Sequence, residues 1–240
     1  MGRRIHETNE ICQAADCVET VGPMARTRQN ATIASVTATA TAAGNSPTVS
    51  QSTPIWRRWL TIAVATERDA EIARFQIEES QRAGRLPALE EELQPAMLAI
   101  TASSHAVDGF YGAFRNSIDA MTRASWQQNG TARYKQVFET LKRAAKLDQS
   151  VRTDLKWLFD LRDAAVHHYE RPRGTAMHPS TVLKTAVSQE YADYCIENAR
   201  RAVSIALTTA EACVDRGPLR QAQRVAWREF LDGVQKARWS

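Results

Sequence analysis

Apolar side chains recur every three or four residues along most of this chain, and this spacing constrains the fold more than any other sequence feature. The pattern begins at Ile55, directly after a proline, and continues through Ile72 and Phe75. No stretch alternates apolar and polar residues as a half-buried strand does, and no internal repeat is visible. Only 10 glycines and 8 prolines interrupt the helix formers. The sequence therefore predicts an all-α protein.

The same spacing predicts six helices and where they stop. Prolines and glycines mark most of their ends, since proline suits a first helical turn and breaks a helix interior. The predicted helices are 54 to about 83, Pro95 to Ile118, Tyr134 to Leu147, Val151 to His167, a segment from after Pro179 to near Gly217, and Leu219 to Ala237. Together they predict an up-and-down bundle of four main helices with accessory elements.

Three segments are predicted from the change of composition along the chain. Residues 1–53 lack aromatic side chains and are dominated by Ala, Thr, Ser and Asn, which is typical of a disordered low-complexity tail. Met24 would serve as a start as well as Met1 does. Residues 54–216 form the predicted helical bundle, and residues 217–240 form a basic accessory helix.

No membrane span, metal site or cofactor site is predicted. The longest weakly polar stretch, Ala31 to Ala43, consists mainly of Ala and Thr and falls short of the ~20 apolar residues that a span requires. A charged opening segment and four scattered cysteines predict neither a secretory signal nor a disulfide framework, so we expect a cytoplasmic protein. Cys12 and Cys17, with His6 nearby, match no zinc spacing.

The net charge of +4 lies after the tail, because four arginines and four acidic residues cancel within residues 1–53. A mildly basic folded region is compatible with an anionic partner such as RNA, and equally with a solvated basic surface. Composition alone does not separate these two interpretations.

Arg162 breaks the pattern of its own helix. At 100° per residue, six apolar or aromatic side chains fall within about 60° of it: Leu155, Leu158, Phe159, Ala165, Val166 and Tyr169. A buried guanidinium keeps its charge, and without a partner it costs several kcal/mol. An anion is therefore expected to meet Arg162. It is either a carboxylate from a neighbouring helix, such as Asp108, or a phosphate, which suits the planar fork of arginine. An Arg162 side chain that reaches the edge of the bundle is a third possibility.

His167 lies near the end of the same helix, and Pro172 follows shortly after. Because Asp163 is its i, i+4 neighbour, the carboxylate is expected to hold one imidazole nitrogen and orient the other. The alternative is a helix cap, in which the imidazolium complements the last carbonyl groups.

The run from Arg162 to Tyr169 resembles the R-x-x-x-x-H-x-Y motif of HEPN domains, which are helical bundles that include metal-independent ribonuclease toxins. The preceding Trp157 to Leu161 and the small-residue helix from Ser104 to Gly112 are similar to this superfamily as well. The likeness covers Pro54 to Asp215. One departure is Asp163, where the family often has Asn.

The resemblance implies a homodimer in which two motifs face one RNA strand. Arg162 would bind the scissile phosphate, and His167 would act as acid or base on the 2′-hydroxyl. Tyr169 would be the target of adenylylation by a nucleotidyltransferase-type antitoxin. The supporting residues are Asp163, His168, Tyr169 and Asp108.

Two further features were weighed beside the motif. Arg171 and Arg173 follow it and are predicted either to touch an RNA backbone or to form a solvated turn. His105 shares a helix face with Gly109 and Gly112 and is interpreted as a core histidine with a satisfied hydrogen bond. The first hypothesis is a HEPN-type endoribonuclease, in a toxin or antiviral setting. The second is a non-catalytic HEPN-like module that binds RNA or a protein.

Overall fold

Eight α-helices and one short hairpin make up the secondary structure of the residues that this computed structural model describes, namely 54–84, 88–166, 174–180 and 186–239. The predicted tail, residues 1–53, lies outside them. The helices are α1 Ile55–Arg82, α2 Glu90–Phe114, α3 Ala120–Gln128, α4 Arg133–Ala145, α5 Val151–Val166, α6 Gln189–Asp193, α7 Ile196–Arg216 and α8 Gln221–Arg238. A 3₁₀ turn, Arg115–Ser117, follows α2. The prediction of an all-α protein is confirmed, apart from the hairpin.

Several short elements correct the sequence-based prediction. The antiparallel strands β1, Thr175–Met177, and β2, Ala186–Ser188, pair where no strand was predicted. Each strand has three residues, which is too short for alternation to be recognised. The helix α3 was also missed, because it buries no side chain completely. The single helix predicted after Pro179 is interrupted, since the five-residue α6 and the longer α7 are separate helices.

The start of α2 was predicted too late. The helix begins at Glu90, and Pro95 lies inside it rather than at its first turn. Glu90, Glu91 and Glu92 occupy that first turn, where the helix dipole favours carboxylates. This acidic run was the stronger signal for the helix start.

The core is organised around the close packing of α1 against α2. Trp56 of α1 and Phe110 of α2 are buried, with ring centroids 4.4 Å apart. A Cβ atom at Gly109 would lie 2.7 Å from the Cβ of Trp56, so only glycine permits this approach. At Gly112 no atom of the described residues lies within 4 Å of such a Cβ position. The helix α1 therefore approaches this small-residue face closely at Gly109 and not at Gly112.

The C-terminal helix α8 contributes to this same core. Trp227, Leu231 and Val234 are buried, and the Trp227 ring centroid is 4.9 Å from that of Trp56. The expected boundary at residue 217 is therefore not a boundary in the packing, because α8 covers the end of the α1–α2 pair. None of the described helices has the length and apolar character that a bilayer span requires.

Candidate functional site

Arg162 lies on the last turn of α5 that the structure describes, with 17% of its side chain exposed. Its Nε and Nη2 both donate to Oδ1 of Asp163, at 2.9 and 2.6 Å. The guanidinium carbon lies 4.6 Å from the ring centroid of Phe159, in the range of a cation–π contact. The expected anion is therefore present, and it is the carboxylate of the next residue in sequence.

Asp108 does not serve as the counter-ion of Arg162, in contrast to one of the alternatives weighed from sequence. Its two carboxylate oxygens accept from Nε and Nη2 of Arg133 on α4, at 2.6 and 3.0 Å. Burial disfavours the charged form of Arg133, but its hydrogen bonds to Asp108 outweigh this effect and its pKa is raised. The Arg133 guanidinium also lies 4.0 Å from the ring centroid of Tyr111. A two-point fork from α4 therefore already engages Asp108.

Asp163 was expected to orient His167, and in the structure its Oδ1 accepts both bonds from Arg162. The Asp163 side chain remains 47% exposed. His167 lies outside the described residues. The same holds for the other candidate residues beyond α5: His168, Tyr169, Arg171 and Arg173. Their predicted roles stay predictions.

The apolar stripe around Arg162 is shorter than the helical wheel suggested. Leu155, Leu158 and Phe159 are buried, whereas 60% of Val166 is exposed. The stripe therefore leaves the core in the last described turn of α5. Arg162 lies at this transition, where a cation is largely covered and still reaches solvent.

His105 of α2 lies outside the site predicted from the sequence, and its pKa nevertheless responds to the charge of Arg162. Its half-buried ring on α2 lies against Trp59 of α1, with centroids 4.8 Å apart and an interplanar angle of 31°. Burial lowers its pKa, the Arg162 guanidinium lowers it further, and Asp108 acts in the opposite sense. The interpretation as a hydrogen-bonded core histidine was wrong, because among described residues the ring has an aromatic contact and no hydrogen bond. The i, i+3 spacing from Asp108 was the available signal.

A second polar cluster lies inside the bundle around Arg74 of α1, whose side chain is 8% exposed. Its Nε and Nη2 donate to the two oxygens of Glu92 on α2, at 2.8 and 2.7 Å. Its Nη1 and Nη2 donate to Glu197 on α7, at 2.7 and 3.0 Å. Glu92 also accepts from the backbone N–H of Ile196 at 2.6 Å. These bonds join three helices through one guanidinium.

His178, just after β1, closes this cluster with only 2% of its side chain exposed. Its Nδ1 accepts from the backbone N–H of Ser180 at 3.2 Å, and its Nε2 lies 3.9 Å from Oε2 of Glu92. Burial lowers the pKa of His178 to about 4, with help from Arg74 and against the opposing effect of Glu197. The imidazole is therefore neutral at pH 7, and it is enclosed rather than presented to a ligand.

The described residues offer neither a reactive thiol nor a metal site. The thiols of Cys195 and Cys213 are buried, and burial raises the pKa of Cys195 to about 12, so neither thiol is a ready nucleophile. Within the described part of the chain, no group of three or more His, Cys, Asp or Glu side chains is arranged to hold a metal ion.

Comparison with known proteins finds no relative of this chain. No protein-family model, no curated protein and no solved structure matches the chain. Its function is therefore argued from the residues around Arg162.

Proposed function

We propose that this chain is a metal-independent endoribonuclease of the HEPN type, built as a HEPN-like bundle that acts as a homodimer. The observation that carries the proposal is the state of Arg162. Its guanidinium is held against Phe159 and Asp163 and is still 17% exposed, at the point where the apolar stripe of α5 leaves the core. A fixed, partly desolvated guanidinium suits the binding of a phosphate whose charge increases during reaction.

The chemistry follows from Arg162 and the sequence motif that it begins. A 2′-oxygen attacks the adjacent phosphorus, the O2′–P bond forms and the P–O5′ bond breaks. The products are a 2′,3′-cyclic phosphate and a 5′-hydroxyl. Arg162 neutralises the phosphate oxygens, and His167, five residues further on, transfers a proton. Arg171 and Arg173 contact the RNA backbone.

Regulation belongs to the same proposal. Tyr169 is the residue that a nucleotidyltransferase-type antitoxin would adenylylate, which places the protein in a toxin or antiviral setting. The bulky, negatively charged adenylyl group would compete with RNA phosphate for the cations of the motif.

A second candidate is a non-catalytic HEPN-like module that binds RNA or a protein. One observation favours it: Nε and Nη2 of Arg162 are already engaged by Asp163. A phosphate must share or displace this carboxylate, whereas a binding module has no need to free the guanidinium.

The deciding experiment incubates the purified full chain with tRNA or total RNA in EDTA and analyses the ends of the fragments. We expect cyclic-phosphate ends, and loss of cleavage in Arg162→Ala and His167→Ala. The matched control is Lys156→Ala, which removes a cation from the same helix at a position that is 54% exposed and paired with Asp160.

Three outcomes separate the candidates. Cleavage that depends on Arg162 and His167 but not on Lys156 supports the enzyme. RNA that is bound but stays intact supports the non-catalytic module. Equal cleavage by the wild type and both motif variants, each folded by circular dichroism, points to a contaminating nuclease and contradicts the proposal.

A further inference from the structure

A cavity of about 380 Å³ is lined by side chains of α1, α7 and α8. Pockets that hold small molecules in proteins have volumes of about 300–1,000 Å³, so this cavity is large enough for a small ligand. Its wall combines carboxylates, arginines and the ring of Trp239, which follows α8. None of its lining residues belongs to the proposed ribonuclease site. The cavity is therefore a candidate for a second, separate function.

Glu67 of α1 lines this cavity, and one of its carboxylate oxygens lacks a hydrogen-bond donor. Only 7% of the side chain is exposed. Its Oε1 accepts from Nε and Nη2 of Arg238, at 3.1 and 2.6 Å, whereas Oε2 is buried and accepts no hydrogen bond from a described residue. Burial raises the pKa of the Glu67 carboxyl, and Arg238 offsets this effect only in part. Because a buried carboxylate oxygen without a donor is costly, a donor supplied from the cavity is stabilised here.

The arginines of the same wall have donors that no described residue uses. Arg68 of α1 forms no ion pair with the described part of the chain, and Arg238 bonds only through Nε and Nη2. Arg200 of α7 bonds through Nη2 alone, to Glu71. Guanidinium groups with unused donors are suited to binding a carboxylate.

Trp239 and Val64 supply the apolar part of the wall. The Trp239 ring is 81% exposed, although tryptophan is largely buried on average. The guanidinium carbon of Arg238 lies 5.2 Å from the centroid of this ring, in the range of a cation–π contact. An apolar group in the cavity would therefore remove ring surface from water.

We propose that this cavity binds a free α-amino acid with an apolar or aromatic side chain. The ammonium group donates to Oε2 of Glu67, the carboxylate accepts from Arg68 and Arg200, and the apolar side chain packs against Trp239. An α-amino acid carries these three groups on one carbon atom. A simple anion would leave Oε2 without a donor, and a simple amine would leave the arginines without an acceptor. The inference does not depend on the proposed ribonuclease function.

Isothermal titration calorimetry of the full chain at neutral pH tests the proposal with L-phenylalanine, L-leucine and two analogues of phenylalanine. The analogue 3-phenylpropionate lacks the ammonium group. L-phenylalanine amide lacks the carboxylate, as does the N-terminal residue of a peptide. We expect L-phenylalanine and L-leucine to bind, and each analogue to bind at least about tenfold more weakly than L-phenylalanine, because each loses one set of charge-assisted hydrogen bonds.

Two variants assign the binding to named side chains. Glu67→Gln keeps an oxygen acceptor for Arg238 and puts an amide donor in place of the unpartnered oxygen. It should weaken binding of L-phenylalanine at least about tenfold. Trp239→Ala, at a largely exposed position, should weaken it about fivefold through the loss of apolar contact. Glu79→Gln is the matched control, since it removes an exposed carboxylate of the same helix that is paired with Arg82.

Thermal unfolding shows whether each variant is folded, and the analogues test the wild type without any substitution. Absence of binding by both L-phenylalanine and L-leucine at millimolar concentration overturns the inference. Equal binding of L-phenylalanine and 3-phenylpropionate also overturns it, because Oε2 of Glu67 then has no role. Equal binding of the amide contradicts a free amino acid as the ligand. Unchanged binding by a folded Glu67→Gln is the fourth contradicting result, and none of these results bears on RNA cleavage.

Discussion

Two arginines of this protein are largely covered, and their surroundings differ. Arg74 makes four hydrogen bonds to two carboxylates that come from two other helices. Arg162 makes two bonds to one oxygen of Asp163, its neighbour in sequence. His178, whose Nε2 lies 3.9 Å from the Glu92 carboxylate that binds Arg74, is enclosed and hydrogen-bonded. His105, whose pKa the charge of Arg162 lowers, is half-buried and forms no hydrogen bond with a described residue.

The difference separates an arginine that is fixed between helices from one whose acceptor is open to solvent. Around Arg74 each of the three guanidinium nitrogens donates to a carboxylate, without any partner molecule. Around Arg162 the one carboxylate among the described residues is 47% exposed, and an ion pair with one partner this open to water contributes little to stability. A covered arginine therefore indicates a binding site only when its acceptors are few and accessible.

The largest expected effect comes from removing the cation of the inner cluster. Arg74→Met leaves Glu92, with 2% of its side chain exposed, without its partner, and should lower the free energy of unfolding by about 3–5 kcal/mol. Arg162→Met should lower it by about 1 kcal/mol or less, because its partner is well solvated. Urea denaturation of both variants measures the difference. Equal losses would contradict the assignment of Arg74 to structure and Arg162 to a site.

The second prediction concerns acid. The pKa of His178 is about 4 in the folded protein, compared with its ordinary value of 6.5. The unfolded chain therefore takes up a proton over this range that the folded protein does not, and unfolding becomes easier as the pH falls from 6.5 to 4. The stability lost across this window is about 3 kcal/mol.

The test compares urea denaturation of the wild type and His178→Gln across that pH window. The comparison with the variant is needed because burial also raises the pKa of Glu92. Protonation of Glu92 therefore favours the folded state as the pH falls, which opposes the effect of His178. The difference between the two proteins should shrink as the pH falls. His105→Gln, whose ring is half-buried, should show a smaller change with pH, and a change as large as that of His178→Gln would remove the contrast between the two regions.

The long helices of this fold were predictable because a 3.6-residue pattern over several turns is difficult to produce by chance. The helix predicted from Tyr134 to Leu147 is found at Arg133–Ala145, and α5 begins at Val151 as expected. The inner cluster was missed altogether. Arg74, Glu92 and Glu197 lie far apart in sequence, and nothing in the local pattern at any one of them indicates the other two.

The sequence predicted that Arg162 needs an anionic partner, but it did not predict which residue supplies it. The wheel correctly required an anion for Arg162, since a covered guanidinium needs one. Asp108 was suggested only as an example of a carboxylate on a neighbouring helix, because a wheel of one helix does not show which residues of other helices reach it. At 100° per residue Asp163 lies off the face of Arg162, and the long Arg162 side chain still reaches its carboxylate. Asp108 is engaged by Arg133, at the start of another helix.

A smaller effect distinguishes the two carboxylates that bind Arg74. Glu197 has 43% of its side chain exposed, compared with 2% for Glu92. Glu197→Gln should therefore cost about 1 kcal/mol of unfolding free energy, and Glu92→Gln clearly more, because water can replace the lost partner only at Glu197. Urea denaturation of both variants at pH 7 measures this. A larger loss for Glu197→Gln would mean that the buried pair contributes less than its burial indicates.

The smallest effect on stability, below about 0.5 kcal/mol, is expected for Asp163→Asn. This variant tests the surroundings of Arg162. Among the described residues Asp163 supplies the only carboxylate bonded to Arg162. Removing its charge should leave the fold intact and tighten binding of single-stranded RNA about fivefold at low salt, since a unit charge about 4 Å away is worth about 1 kcal/mol in water. Fluorescence anisotropy measures the affinity, and the gain should diminish as salt screens the charges. Asp160→Asn, which removes a carboxylate paired with Lys156 on the same helix, is the control. Weaker binding by Asp163→Asn alone would show that the carboxylate positions Arg162 for RNA instead of competing with it, and the site would then depend on the bond between them.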